Sequence, residues 1–374
     1  MKMLSVTCIA PVNIAVIKYW GKRDEDLILP LNDSVSATLS TDHLCTKTTI
    51  STCESFTENK IVLNGKEESF DNPRLLRCLE EIKKRAKASN KCKPELLEWK
   101  VHVKTENNFP TAAGLASSAS GYACLVYTLA CLYGIENEEI SSIARQGSGS
   151  ACRSLHSGFV QWKKGERPDG TDSVAVQLVP HDFWPEMRII VLVVNDARKK
   201  TSSTGGMSTS VKTSKLLKYR AETCVPQHTT DLVEALNKKD FETFGKITMQ
   251  DSNQFHAVCL DTYPPCVYMN DVSFAVVNMV HQFNALKKEV RVAYTFDAGP
   301  NACLYLLEKD VPEVLSVVNK VFPNDKLGDP EYIKGIAVDL TELPAADEAF
   351  TASGNNLLKY IINTKVGEGP KRID

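Results

Sequence analysis

The side chains in this sequence that are best suited to chemistry are an aspartate at the end of an apolar run and two lysines around an aromatic pair. Asp297 follows an apolar run and precedes Ala-Gly-Pro-Asn. A carboxylate there can act as a general base, or it can form the Asx-turn that is more common for Asp before Gly and Pro. Lys18 and Lys22 enclose Tyr19 and Trp20 at the end of another apolar run. A single lysine there is usually solvated, whereas two beside an aromatic pair also suit an anion pocket.

Hydroxyls and a guanidinium are concentrated in the loop Gly-Ser-Gly-Ser-Ala-Cys-Arg at residues 147–153. Ser148, Ser150 and Arg153 together suit a phosphate or a carboxylate, and the alternative is a flexible linker whose arginine faces water. No G-x-S-x-G elbow can be read around either serine, so the loop does not indicate a hydrolase nucleophile. Thr204 lies in a further polar, glycine-containing loop, which we interpret as a mobile lid.

A turn of small residues at positions 107–121 separates a strand-like run from an apolar helical pattern. Strand, small-residue turn and helix together direct several backbone N–H groups and the positive helix end at one spot, which can bind phosphate. The alternative is an ordinary helix start with Ser117 or Ser118 as N-cap. The turn lacks the Gly-Lys-Ser/Thr of a Walker A loop and the G-x-G-x-x-G of dinucleotide folds, so the type of anion stays open at this point.

Hydrophobic periodicity predicts the elements that have to position these residues. Extended segments are predicted at residues 4–17, 46–51, 60–66 (with an Asn-Gly turn), 99–105, 158–163, 188–195, 290–296, 303–307, 335–339 and 359–365. Helices are predicted over most of residues 208–285 and at residues 74–88, 122–133, 138–145 and 310–321. Strands mixed with runs of helices predict an α+β fold of two lobes around one cleft, with a boundary near residues 179–187. Arg74, on the first helix, is either an anion partner or a surface charge.

Composition and charge exclude several classes of protein. The 374 residues are 43% hydrophobic and 24% charged, which is typical of a soluble globular protein. A net charge of −2 and the lack of an extended basic face argue against a nucleic-acid partner. The twelve cysteines form no C-x-x-C pair and the histidines show no metal-binding spacing, so we expect free thiols in a reducing compartment. No apolar run is long enough to span a membrane, and a cytoplasmic protein is therefore expected.

The small-residue turn resembles the phosphate-binding motif of the GHMP kinase superfamily, Pro-x-x-x-Gly-Leu-Gly-Ser-Ser-Ala, with Ala116 in place of the usual Gly. Within that superfamily, the mevalonate diphosphate decarboxylases have motifs similar, and in the same order, to those at residues 10–22, 147–153, 251–256 and 297–301. The likeness extends over essentially the whole chain. It implies a GHMP kinase-like fold, with a ribosomal protein S5 domain 2-like N-terminal lobe (residues 1–185) and a ferredoxin-like C-terminal lobe (residues 186–374).

The resemblance also implies an activity, the ATP-dependent decarboxylation of (R)-mevalonate 5-diphosphate to isopentenyl diphosphate. ADP, phosphate and CO2 would be released, in the route to isoprenoids and sterols. Mg2+ with the ATP and a homodimer are further implications, although the animal-type enzymes of the family usually carry a longer C-terminal tail. Three alternatives stay open: a kinase of the superfamily that stops at phosphorylation, a decarboxylase of mevalonate 5-phosphate, and a non-catalytic nucleotide-binding protein.

The resemblance assigns roles to individual residues. Asp297 would face the 3-hydroxyl of the substrate, Lys18 would lie beside it, and Arg153 would hold the substrate carboxylate. Ser118 completes the implied catalytic set and would contact Mg2+ through the ATP. The implied substrate-binding residues are Ala15, Tyr19, Trp20, Gly21, Lys22, Arg74, Ser148, Gly149, Ser150, Ala151, Cys152, Arg153 and Thr204. The implied ATP-binding residues are Pro110, Ala112, Ala113, Gly114, Leu115, Ala116, Ser117 and Ser118.

Overall fold

The computed structural model of the protein describes residues 3–109, 117–194, 201–340 and 344–374. The strands before residue 180 are β1 (Leu4–Pro11), β2 (Asn13–Ile17), β3 (Lys22–Asp24), β4 (Leu29–Pro30), β5 (Ser34–Thr38), β6 (Cys45–Cys53), β7 (Lys60–Leu63), β8 (Lys66–Glu68), β9 (Lys100–Asn107), β10 (Phe159–Trp162) and β11 (Ala175–Val179). The later strands are β12 (Met187–Val193), β13 (Val292–Phe296), β14 (Ala302–Leu307), β15 (Ile333–Gly335), β16 (Tyr360–Lys365) and β17 (Lys371–Arg372).

The helices lie partly between these strands and partly in one long run. They are α1 (Pro73–Ser89), α2 (Pro94–Glu98), α3 (Ser117–Tyr133), α4 (Ser141–Gly147), α5 (Ser203–Thr213), α6 (Lys215–Tyr219), α7 (Val225–Lys238), α8 (Phe241–Asp261), α9 (Asp271–Lys287) and α10 (Val311–Val321). A 3-10 helix (Gly149–Leu155) follows α4, a π-helical turn (Arg220–Cys224) joins α6 to α7, and a 3-10 turn (Glu308–Asp310) precedes α10.

The first lobe is built on a six-stranded sheet in the order β17-β1-β6-β9-β7-β8. Alternate residues of β6 are buried, as expected for a strand with one covered face, and α3 packs across β6 and β1. Helix α1 packs beside α3. Its start is capped by the Asn72 side chain, which accepts a hydrogen bond from the Arg74 N–H, so that Arg74 is held in the first helical turn.

A four-stranded sheet, β11-β10-β5-β2, connects this lobe to the second one. All residues of β2 and β5 are buried, and their apolar side chains share one core with the five-stranded sheet β13-β14-β12-β16-β15. Strand β2 lies directly against the five-stranded sheet. The Tyr305 hydroxyl donates to the Ile14 carbonyl at 3.0 Å, and the Thr295 hydroxyl donates to the Ala15 carbonyl at 3.3 Å. The two lobes therefore meet at β2, whose last residue precedes Lys18.

The predicted two-lobed α+β fold is confirmed, and so are the strands and helices predicted around the motifs. The Asn-Gly hairpin is present, with φ of 48° at Asn64 and 80° at Gly65, as its turn type requires. The predicted strand at residues 335–339 is wrong. The strand there is β15, which ends at Gly335, whose φ is 89° and whose backbone is so close to Asn363 that a side chain would clash with it.

Two further expectations need correction. The strand predicted at residues 359–365 is not the last one, because β17 returns to the first lobe and pairs with β1. Asp374 extends that contact by accepting a hydrogen bond from the Thr7 N–H at 2.7 Å. The polar loop interpreted as a mobile lid is in part a helix start: Ser202 caps α5 by accepting from the Gly205 N–H at 3.1 Å. Residues 195–200 of that loop lie outside the described part of the chain.

Candidate active site

The ends of two buried strands bring Lys18 and Asp297 together from distant parts of the sequence. Lys18 follows β2 and Asp297 follows β13, and the Lys18 Nζ lies 2.6 Å from the Asp297 Oδ1. The Lys18 side chain is 3% exposed and the Asp297 side chain 32%. The ammonium is thus buried while the carboxylate opens to a cavity, so the pair can present a fixed acceptor to a bound hydroxyl.

A cavity of about 200 Å3, called the central cavity below, surrounds this ion pair. Among the described residues that line it, Lys18, Lys22, Arg74 and Arg153 are cationic, whereas Asp297 is the single anionic one. This excess of positive charge in a confined space favours a multiply charged anion. The other lining residues are Asn13, Ala15, Tyr19, Trp20, Ile28, Ser118, Ser148, Gly149, Ser150, Ser203, Thr204, Met207, Phe255 and Ala298.

Arg153 is buried at 3% exposure in the 3-10 helix, so its loop is not a flexible linker. Its Nε donates to the Asn13 Oδ1 at 3.2 Å and to the Ser36 Oγ at 2.9 Å, and its guanidinium lies 5.8 Å from the centre of the Trp162 ring. Its Nη1 has no hydrogen-bond partner among the described residues. Burial lowers the pKa of the Arg153 guanidinium, and a carboxylate at Nη1 would both satisfy this donor and offset the lost hydration.

Aromatic rings form one wall of the central cavity. The Tyr19 ring packs edge-on against Trp162 at 4.6 Å, and Trp20 packs against Phe255 at 4.9 Å. Gly149 lies against this wall, where a Cβ would come within 2.8 Å of Trp162 and 3.0 Å of Tyr19. Burial raises the pKa of Tyr19, so its hydroxyl stays protonated and can donate to a bound anion.

Two hydroxyls and a paired lysine also line the central cavity. Lys22 forms an ion pair with Glu25, and the Lys22 side chain is buried whereas that of Glu25 is about half exposed. The Ser148 Oγ lies 3.4 Å from the Ser118 Oγ, which joins the 147–153 segment to the start of α3. A phosphate group there would meet both hydroxyls and the positive end of a helix.

A second cavity of about 410 Å3, called the apolar cavity below, adjoins the first at Ser118, which lines both. Its walls come mainly from β7, β8, β9, α1 and α3, and their exposed surface is mostly apolar although polar side chains are interspersed. The lining residues are Ile61, Leu63, Glu68, Ser69, Asn72, Leu75, Val103, Thr105, Asn107, Ser117, Ser118, Gly121, Tyr122 and Leu125. A flat apolar group attached to phosphates could therefore occupy this cavity with its phosphates at Ser118.

Some predicted site residues do not line either cavity. Gly21 has φ of 86° and lies against the Leu31 side chain, in a backbone turn after Trp20 that favours glycine. Ala151 and Cys152 are fully buried, and the Cys152 thiol donates to the Gly149 carbonyl at 3.0 Å. Six predicted ATP-binding residues lie outside the described residues, namely Pro110, Ala112, Ala113, Gly114, Leu115 and Ala116.

Other lining residues were not assigned from the sequence, namely Asn13, Ile28, Ser203, Met207, Phe255 and Ala298. Asn13, Phe255 and Ala298 belong to motifs that carry the resemblance, so their position in those motifs could have identified them as site residues. Ile28 and Met207 are ordinary apolar residues whose place in the wall depends on contacts between distant segments.

The described residues contain no group of three or more His, Cys, Asp or Glu side chains arranged to hold a metal ion. The Ser118 hydroxyl and the Asp297 carboxylate line the central cavity and have oxygens of the kind that divalent cations bind. Within the described chain, none of the helices has the length and apolar character needed to cross a bilayer.

Comparison with known proteins matches nearly the whole chain to a single family. Residues 10–175 match the diphosphomevalonate decarboxylase-like N-terminal domain, and residues 189–373 match the mevalonate 5-diphosphate decarboxylase C-terminal domain. The diphosphomevalonate decarboxylase of Bos taurus is 52% identical over 378 residues, covering 99% of this chain and 94% of that protein.

Solved structures that resemble this chain come from the same family. The mevalonate diphosphate decarboxylase from Trypanosoma brucei is 37% identical with a TM-score of 0.90, covering 99% of this chain and 98% of that one. A structure described as MDDEF in complex with MVAPP, AMPPCP and magnesium is 29% identical with a TM-score of 0.75, covering all of both chains. The chain therefore belongs to the diphosphomevalonate decarboxylase family.

Proposed function

We propose that this protein catalyses the ATP-dependent decarboxylation of (R)-mevalonate 5-diphosphate to isopentenyl diphosphate, with release of ADP, phosphate and CO2. The observation that carries the proposal is one cavity that holds both the Lys18–Asp297 ion pair and the unsatisfied Nη1 of buried Arg153. A kinase that stops at phosphorylation would need the ion pair but not a buried guanidinium suited to a carboxylate. Membership of the family supports the same reaction.

The charge of the central cavity supports a diphosphate substrate. The substrate carries a carboxylate at one end and a diphosphate at the other, and the described lining of the cavity presents four cationic side chains against one anionic one. Arg153 would hold the carboxylate, while Lys22 and Arg74, with the hydroxyls of Ser148 and Ser150, would hold the diphosphate. A monophosphate would leave part of this positive charge without a partner, which is costly in a confined site.

The chain's own residues can support each step of the reaction. A tertiary hydroxyl is a poor leaving group, so its oxygen first attacks the γ-phosphorus of ATP while Asp297 orients the hydroxyl and accepts its proton. Lys18 stabilises the negative charge that develops beside it. The C–O bond to the new 3-phosphate then breaks with its electron pair, and the electrons of the bond to the carboxyl carbon form the double bond as CO2 departs. Arg153 orients the carboxylate for that cleavage.

ATP is proposed to lie with its base in the apolar cavity and its phosphates at Ser117 and Ser118. The support is that Ser118 lines both cavities and that both serines stand at the positive start of α3. Mg2+ prefers oxygen ligands and is commonly held by substrate phosphates, and the Ser118 hydroxyl, which lines both cavities, would add a protein oxygen. When bound, Mg2+ would neutralise phosphate charge.

The function is tested by incubating the purified protein with MgATP and (R)-mevalonate 5-diphosphate labelled at its carboxyl carbon. ADP is followed by a coupled assay and labelled CO2 is trapped, and we expect equal amounts of the two. ADP with a phosphorylated acid and no CO2 would assign a kinase instead. Faster turnover of mevalonate 5-phosphate would change the substrate, and unaltered ATP would indicate a non-catalytic nucleotide-binding protein.

We also propose that the enzyme works in the cytoplasm as a homodimer, supplies precursors of isoprenoids and sterols, and divides into lobes at residues 1–185 and 186–374. The twelve free cysteines support a reducing compartment. The family domains at residues 10–175 and 189–373 support the position of the division. Size-exclusion chromatography with light scattering tests the dimer, and fractionation of the source cells tests the compartment.

A further inference from the structure

The motif Asp-Ser-Asn-Gln-Phe-His at residues 251–256 has no part in the function proposed so far, apart from Phe255 in the cavity wall. It lies in the middle of α8, a helix of 21 residues that packs against both β2 and β13. These are the two strands whose ends carry Lys18 and Asp297. A single helix thus contacts both strands that carry the ion pair.

On one side, α8 holds the backbone of Lys18 through a buried pair of charges. Asp251 Oδ1 accepts the Lys18 N–H at 2.7 Å, and Arg220 Nη2 donates to the Lys18 carbonyl at 3.2 Å. Arg220 also binds Asp251 through both terminal nitrogens, at 2.8 and 2.9 Å. Asp251 is 0% exposed and Arg220 2%, so solvent does not compete with these hydrogen bonds.

The Asp251–Arg220 pair is supported from further elements. His228 on α7 places its Nδ1 3.2 Å from Asp251 Oδ2, and Asn32 donates to the Lys18 carbonyl at 3.0 Å. Although burial alone would act in the opposite direction, Arg220 and His228 lower the pKa of Asp251, which keeps it a charged acceptor. Both donor and acceptor groups of the Lys18 peptide are therefore tied to fixed side chains.

On the other side, α8 holds the backbone of the residue before Asp297. Ser252 Oγ accepts the Phe296 N–H at 3.0 Å, and His256 Nε2 lies 3.3 Å from the Phe296 carbonyl oxygen. Burial, together with the nearby Lys18 charge, lowers the pKa of His256 to about 4. The imidazole is therefore neutral at pH 7 and donates one N–H to that carbonyl.

We propose that Asp251, Ser252 and His256 on α8, with Arg220, are positioning residues that set the distance between the Lys18 ammonium and the Asp297 carboxylate. Asp251 and Ser252 are adjacent on one rigid helix, and each bonds the peptide next to one member of the ion pair. A shift of either strand end by one ångström would break a buried hydrogen bond and the 2.6 Å contact together. None of these four residues lines the central cavity, so they act through Lys18 and Asp297 and not on the substrate.

This inference rests on the proposed function, and its test starts by measuring turnover of the unmodified enzyme, which decides that function separately. The variant is Asp251→Asn, which keeps an oxygen for the Lys18 N–H but loses the charge that holds Arg220. Because Arg220 is then a lone buried cation, the double variant Asp251→Asn with Arg220→Gln is made alongside it. We expect kcat to fall by about 10²-fold, since small misplacements of reacting groups cost this much, with less than about a twofold change in the Kd for ADP.

A double-mutant cycle with Lys18→Met separates positioning from general loss of structure. If Asp251 acts through Lys18, adding Asp251→Asn to Lys18→Met lowers kcat by less than about threefold. Losses that multiply fully in the combined variant would overturn the proposal. So would an unchanged kcat in a folded Asp251→Asn or double variant.

Ser252→Ala tests the contact to the Asp297 strand with a smaller change. Its matched control is Thr248→Ala, one turn earlier on α8, where a fully buried hydroxyl has no hydrogen-bond partner among the described residues. We expect Ser252→Ala to lower kcat by about tenfold and Thr248→Ala to leave it within about twofold. Equal losses in the two variants, matched to equal falls in melting temperature, would reduce the motif to a packing role and refute the proposal.

Discussion

Replacement of Asp297 by Asn is the most direct perturbation of the proposed site. The amide has the size and shape of the carboxylate, so it keeps a carbonyl oxygen for the Lys18 ammonium, which lies 2.6 Å from Oδ1 in the unmodified protein. It cannot accept the proton of the substrate hydroxyl. The change therefore removes the proposed base while leaving Arg153 and the diphosphate contacts in place.

The size of the effect follows from the two roles of Asp297. A positioned general base contributes about 10²–10⁴-fold to a rate, which corresponds to about 3–5 kcal/mol in the activation free energy. The loss of charge also leaves buried Lys18 without its counter-ion. Since Asp297 is 32% exposed, we expect a cost of about 1–2 kcal/mol in the free energy of unfolding, below the range for fully buried pairs.

The assay measures CO2 and ADP release at saturating MgATP, together with the Kd of mevalonate 5-diphosphate and of ADP by calorimetry. We expect kcat to fall by at least about 10²-fold while both dissociation constants change by less than about threefold. Asp310→Asn is the matched control, because Asp310 likewise pairs with a cation, Arg291 at 3.5 Å, but is buried and does not line the cavity. Its kcat should remain within about twofold of the unmodified value.

A folded Asp297→Asn variant that keeps more than about a tenth of the original kcat would refute this role of Asp297. A base or an essential hydroxyl acceptor cannot be lost at so small a cost. Weakened binding of both ligands with an unchanged kcat would equally place Asp297 in a structural role.

Four further predictions follow from the same geometry. Arg153→Gln should lower kcat/KM for mevalonate 5-diphosphate by about two to three powers of ten with little change in the Kd of ADP, and a greater loss of nucleotide affinity would contradict the proposed carboxylate contact. Gly149→Ala should raise KM for the substrate and lower the free energy of unfolding by about 1–3 kcal/mol, since its Cβ would meet Trp162 at 2.8 Å. An unchanged KM would show that the aromatic side chains move to accommodate the added methyl group. Gly121 lines the apolar cavity, and a Cβ added there meets nothing within 4 Å, so the leucine of Gly121→Leu would fill the cavity. This variant should raise KM for ATP but not for the acid substrate. The reverse pattern would show that the nucleotide binds elsewhere. Burial lowers the pKa of His256 to about 4 from an ordinary 6.5, so the free energy of unfolding is highest above pH 6.5 and falls by about 3 kcal/mol as the pH drops to 4. Denaturant titrations across this pH range should show a smaller fall in the His256→Gln variant.

Much of the candidate site could be predicted from the sequence because its chemistry is concentrated in short motifs. The residues around Lys18, the segment ending at Arg153 and the turn at Asp297 each combine polar side chains with an apolar strand or helix next to them. Such local patterns are set by backbone preferences and the alternation of buried residues, which act within a few positions of the chain. The α+β fold class and the Asn64–Gly65 hairpin were predictable for the same reason.

Other features were decided by contacts between distant segments. Whether Arg153 faced water or the protein interior depended on Asn13, Ser36 and Trp162, which no local pattern links to it. The strand β15 and the return of β17 to β1 depend on pairing partners elsewhere in the chain.

The pairing of Lys18 with Asp297 shows the same division within a single interaction. Residue type and neighbouring strands marked both as candidates for chemistry, yet the 2.6 Å between them, across 279 positions, is set by the packing of β2, β13 and α8. The positioning roles proposed for Asp251 and Arg220 also depend on that packing, because the effect of a buried charge depends on its partner, and the tertiary fold determines the partner. Side-chain chemistry is thus a property of the sequence, whereas distance and burial, which convert that chemistry into a site, belong to the folded chain.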